Sequence, residues 1–230
     1  MGIPITIMAI HMITIITMTE DADLLTLMHW LSPVFPVGGY AYSQGLEQAI
    51  ASEAVKTAGD LQNWLDTVLV DGSGQSDAIF LSMSMRQDED IESLNRWARA
   101  LAPSSERWQE TAEQGAAFTR AVNDLTGSDD LPAALPIAVG RAATKLTLSS
   151  ERVAAFYLQA MIANLVTGAV RHIPLGQGEG QKVIAALGPT ILSVANRAQG
   201  RNVADITSST FGADRASIAH ETQDVRIFRT

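Results

Sequence analysis

Val153-Ala154-Ala155-Phe156-Tyr157-Leu158-Gln159-Ala160-Met161-Ile162-Ala163-Asn164-Leu165-Val166-Thr167-Gly168-Ala169-Val170 is eighteen residues without a charge. A bilayer span needs about 20 predominantly apolar residues. This run carries Gln159, Asn164, Thr167 and Gly168, and takes its bulk from Ala more than from Leu. A helix apolar nearly all round yet lightly polar reads as the buried centre of a helical bundle. Ser149 or Ser150 can cap its start, and Pro174 and Gly176 close it.

The same 3.6-residue period recurs on both sides. Leu61, Trp64, Leu65, Val68 and Leu69 form one stripe, with Asp60 as a natural N-cap. Ile91, Leu94, Trp97, Ala98 and Leu101 form another after Asp90, ended by Pro103. Ser104 or Ser105 can cap a third, which runs through Trp108, Ala112, Gly115, Phe118, Val122 and Leu125 to Gly127. Pro132 and Pro136 open a helix reaching about Lys145. Val183, Leu187, Ile191, Val194 and Ala198 make a last stripe, broken or kinked at Pro189. Gly200 to Asp214 is the least regular region, and a short helix can begin at Arg215. No stretch alternates with period two between hairpin turns. The expectation is an all-α, single-domain helical bundle, residues 19–230, with an irregular N-terminal arm and a C-terminal tail over 215–230.

The 230 residues hold 16 basic and 25 acidic side chains, a net charge of −9. That balance opposes a general nucleic-acid binder, which needs a basic footprint. With no cysteine there is no disulfide framework, thiolate metal site or thiol nucleophile, and a reducing cytoplasm fits. Met1 to Met18 is rich in Ile, Met and Thr and lacks the basic start of a secretory signal, the first Lys or Arg being Lys56. It reads as a non-native or disordered extension, with Met18 as a plausible initiator.

Catalytic signals fail one by one. Ala41-Tyr42-Ser43-Gln44-Gly45 lacks the first glycine and the preceding strand of a nucleophile elbow. Gly176-Gln177-Gly178-Glu179-Gly180 follows a helix and lacks the Lys-Ser/Thr ending of a phosphate loop. It reads as a helix–helix turn with Gly176 as a left-handed C-cap. His11, His29, His172 and His220 contain no pair at helical spacing, so no metal site, cofactor or catalytic residue is expected.

Specificity without catalysis remains. Tyr40 and Tyr42 follow a rigid Pro36-Val37-Gly38-Gly39 turn and read as an exposed aromatic platform. Arg171 ends the chargeless helix, either as a cation on its dipole or as a partner contact. The tail His220-Glu221-Thr222-Gln223-Asp224-Val225-Arg226-Ile227-Phe228-Arg229-Thr230 sets Arg226 and Arg229 around Phe228, the composition of interface anchors.

Three blocks together resemble the UreF family of urease accessory proteins: Leu31 to Glu47, Ala169 to Gln181, and His220 to Thr230. Gly115 to Arg120 and Pro136 to Ala143 add to the likeness, in order. In the tail, Asp224-Val225 stands where the family has Tyr-Ser. The resemblance implies a non-catalytic, cytoplasmic chaperone subunit that dimerises. It would bind a UreD/UreH-type scaffold chiefly through its tail, recruit the UreG GTPase and dock on apo-urease to help pass Ni²⁺. Arg171 would take the GTPase-facing role. The tail roles would fall on His220, Glu221, Arg226, Phe228 and Arg229, with Tyr40, Tyr42 and Gln177 completing the partner-binding set. The alternative is a small helical enzyme of unidentified activity.

Overall fold

The computed structural model describes residues 19–87 and 89–230; the extension Met1 to Met18 lies outside them. Residues 19–30 form α1. There follow α2 (Leu46–Ala51), α3 (Ala58–Asp71), α4 (Ser73–Ser84), α5 (Ile91–Ala100), α6 (Ser105–Thr126), α7 (Leu135–Ala143), α8 (Ser150–Ala169), α9 (Gln177–Ala186), α10 (Gly188–Arg197) and α11 (Phe211–His220). The described residues contain no strand, and no helix among them is long and apolar enough to cross a membrane. The fold is all-α.

Local chemistry places the ends. Ser104 and Ser149 accept the Arg107 and Arg152 amides at 3.1 and 3.2 Å, and Asp90 accepts that of Ser93 at 3.1 Å. Gly127 closes α6 at φ 69°. Pro136 sits in the first turn of α7, where its missing N–H costs nothing. Pro189 likewise opens α10, so of the expected break or kink the chain makes the break, between α9 and α10.

Three expectations are corrected. The cap of α3 is Thr57, whose hydroxyl accepts the Asp60 amide at 3.1 Å while Asp60 accepts the Thr57 amide at 3.0 Å. This reciprocal box satisfies two orphan donors, which Asp60 as cap would not. Gly176 is not left-handed: at φ −69° it is the N-cap of α9, because α8 has already closed through Arg171 and Ile173 amides onto Gly168 and Ala169. The last helix starts at Phe211 rather than Arg215.

Helix α4 is more enclosed than α8. Ala78, Ile79, Phe80, Leu81, Ser82, Met83 and Ser84 are all buried, and α4 packs on α7, α8, α3 and α10. Its serines hid it from hydropathy. Helix α8 buries one wide stripe, from Val153 through Leu158, Ile162 and Leu165 to Ala169, against α10, α4 and α9. Each such buried aliphatic side chain contributes about 1.5–3 kcal/mol.

A polar layer crosses this core. Tyr157 of α8 donates to Asp77 of α4 at 2.8 Å, and buried Arg107 pairs with Glu110 one turn on along α6. Asp77 and Arg107 line a cavity of about 120 Å³. Burial pushes the Asp77 carboxyl up to about 6, against the pull of Arg107 and the Tyr157 hydroxyl. A raised carboxyl pKa means the fold prefers the protonated form. The cost of ionising is absent below about pH 4 and complete above about pH 6. Asp77→Asn is therefore expected to match the parent at pH 4 and to exceed it at pH 7 by on the order of 1–3 kcal/mol. Denaturant unfolding at both pH values checks this, and a variant weaker at pH 7 refutes it.

Candidate docking site around the C-terminal tail

The site begins with a backbone shaped by glycine. After Gly38 at φ 71°, Gly39–Ala41 make a single 3-10 turn, Tyr42 is extended, and Gln44 and Gly45 are both left-handed before α2 starts. A Cβ on Gly45 would lie 2.6 Å from the Ser217 amide nitrogen, so only glycine lets α2 approach α11 this closely. Asn164 of α8 donates to the Gly39 carbonyl at 2.8 Å and fixes the turn to the bundle.

Onto this platform the chain end folds back. His220, the last residue of α11, is completely buried. Its Nδ1 lies 2.7 Å from Glu106 of α6 and its Nε2 3.1 Å from Glu47 of α2. Both ring nitrogens thus face carboxylates, one from α6 and one from α2. Glu221 accepts the Ser105 amide at 2.8 Å and hydroxyl at 2.7 Å, a second cap on α6 that holds its own carboxyl low.

The tail then lies across residues 41–47. The Ile227 and Phe228 amides donate to the two oxygens of Glu47 at 2.8 and 2.9 Å. Burial raises the Glu47 carboxyl, but the Phe228 amide, His220 and the Ile227 amide outweigh it, and the net shift is down. The Arg229 amide donates to the Ala41 carbonyl at 2.7 Å, and the Ser43 amide to the Thr230 carbonyl at 2.8 Å. Thr230 donates its hydroxyl to Glu110 at 2.9 Å and joins the core polar layer. The Phe228 ring sits beside Gly168 and meets His172 edge-on at 5.2 Å.

Both tail arginines pair with α6: Arg226 with Glu106 at 2.7 Å and Arg229 with Glu113 at 2.8 Å. Arg229 also lies over the Tyr42 ring at 5.6 Å. With side chains 40% and 56% exposed, these arginines face water as well, and each pair contributes no more than about 1 kcal/mol.

Tyr42 was expected beside Tyr40 on the surface. Only Tyr40 is exposed; Tyr42 is buried and donates to Glu113 at 2.7 Å, and burial and that bond push its phenol up. His220, Glu221, Arg226, Phe228, Arg229 and Tyr42 form one cluster. Arg171 and Gln177 lie exposed elsewhere, Arg171 being joined to it through neighbouring His172. Sequence reading missed the receptors Glu47, Glu110 and Glu113. Glu106, Glu110 and Glu113 recur at helical spacing opposite a tail with two arginines, a pairing visible in principle. No group of three metal-ligating side chains among the described residues could hold an ion.

The comparisons agree on one identity. The family model UreF matches residues 55–188. A relative from Cereibacter sphaeroides (strain KD131) is 49% identical over 91% of this chain and 100% of its own. One from Jannaschia sp. (strain CCS1) is 44% identical over 92% and 96%. The chain belongs to the UreF family. A third relative, from Roseobacter denitrificans, is 46% identical over 97% of this chain. All three are named urease accessory protein UreF. In this UreF-family chain the folded tail and its platform lie outside residues 55–188.

Proposed function

We propose that this chain is a non-catalytic scaffold and regulator of urease maturation. It joins a UreD/UreH-type protein and the UreG GTPase on apo-urease, as a homodimer in the cytoplasm, with Ni²⁺ as the cargo of the assembly. The observation that supports this is the tail itself. The Ile227, Phe228 and Arg229 amides are occupied by the chain's own acceptors, while Val225 and Ile227 are 78% and 68% exposed. A prearranged apolar edge with arginines beside it is a docking surface that has already met most of its ordering cost.

Arg171 serves the GTPase face. It is exposed, lies two residues past the end of α8, and its side chain makes no hydrogen bond or ion pair among the described residues. Arg171→Ala is expected to leave stability within about 0.3–1 kcal/mol, the scale of a dipole interaction. Loss of an interface anchor costs about 2 kcal/mol or more, roughly a thirty-fold fall in GTPase capture. Thermal melting and co-purification with each partner read the two effects separately. A lower melting temperature with normal capture of both partners would make Arg171 a structural cap.

A further inference from the structure

We infer that Glu47 is the positioning residue of the tail: its carboxylate sets the register in which residues 225–229 are presented to the scaffold partner. The effect on the partner rests on the docking role proposed for the tail; the register itself does not.

Residues 223–230 have no helix or strand of their own, so their amides need an outside template. Two successive amides, Ile227 and Phe228, find it in the two oxygens of one side chain. Residues 227 and 228 lie in a bend, which is what lets two successive amides converge on one carboxylate. With 227 and 228 fixed together, Ile227 faces water and Phe228 faces Gly168 and His172. A slip of one residue would bury Ile227 there and expose Phe228. Glu47 is itself buried, and its charge is held by His220, which shares its second nitrogen with Glu106, the partner of Arg226. The chain Arg226–Glu106–His220–Glu47 thus ends on the tail backbone.

The test uses the full chain with Glu47→Gln. That change keeps one acceptor oxygen and turns the other into an NH₂, which must face either the Ile227 amide or the Phe228 amide with the His220 ring. Amide exchange at Ile227 and Phe228, exchange in α4, and capture by the UreD/UreH-type scaffold are measured together. The expected result is exchange at Ile227 or Phe228, whichever amide faces the new NH₂, at least ten-fold faster and capture at least ten-fold weaker, with α4 protection unchanged. Undiminished protection of both Ile227 and Phe228 would overturn the inference. Fast exchange with full capture would uphold the register and overturn the docking role. If Glu47→Gln does not fold, Ile227→Pro removes one of the two donors from an exposed position. Loosened Phe228 protection there supports the inference, and native protection overturns it.

Discussion

A chain lacking Glu221 to Thr230 is expected to lose scaffold capture altogether and to melt at a lower temperature, keeping most of its helix. The resemblance alone implied the first effect and not the second. The deletion strips Glu47 of two amide donors, Glu106 of Arg226, Glu113 of Arg229 and Glu110 of the Thr230 hydroxyl. It also removes the Glu221 cap from α6 and the Phe228 ring from Gly168. Breaking a dry charge pair costs about 3–5 kcal/mol. Here water enters the vacated surface and rehydrates the carboxylates, so the net loss is on the order of 2–4 kcal/mol, or about 5–15 °C. Melting followed by circular dichroism, with parallel capture assays, measures both. A truncated chain that melts with the parent and still binds the scaffold would refute the account of the tail.

Gly115→Ala is expected to be as damaging with no effect aimed at the site. Alanine inside a helix ordinarily stabilises by about 0.5–1 kcal/mol relative to glycine. At this position a Cβ would fall on the Ala133 carbonyl oxygen and lie 2.7 Å from the Leu135 amide nitrogen. Those are backbone atoms at the start of α7 and have no rotamer to change. Separating α6 from α7 would also break the bond from the Leu135 amide to Thr111 at 3.2 Å. Overpacking costs about 1–3 kcal/mol, and backbone against backbone belongs at the top of that range, about 6–12 °C in melting temperature. Gly178→Ala is the control: it lies in α9 with nothing within 4 Å of its Cβ position, and stability should rise slightly. A Gly115→Ala chain that melts at or above the parent would refute the packing argument.

Those two glycines show what the sequence could and could not convey. Helix periodicity announced α3, α5, α6 and α8, and serine, aspartate and proline marked most of their ends, because those signals are local. Gly115 stood in a recognisable block without disclosing its role, since the backbone it touches is about 20 residues away. Helix α4 went unread because a helix enclosed on all sides has no polar face to set a period. In the site, His220, Arg226 and Phe228 were visible as unusual residues for a chain end. Their orientation was not: reading them as outward anchors missed that a buried imidazole needs partners at both nitrogens, here two carboxylates, one of them 173 positions earlier.

That separation has a further consequence. The bonds that seat residues 227–230 on residues 41–47 join partners 180 to 188 positions apart. Closing so long a loop is entropically costly unless the intervening helices have first brought its ends together. The edge proposed to dock the partner therefore assembles late in folding, after the bundle between its two halves. A chain stalled or misfolded anywhere along that span leaves the edge unmade. A partner that recognises the seated tail is in effect an inspector, admitting only finished copies to the assembly.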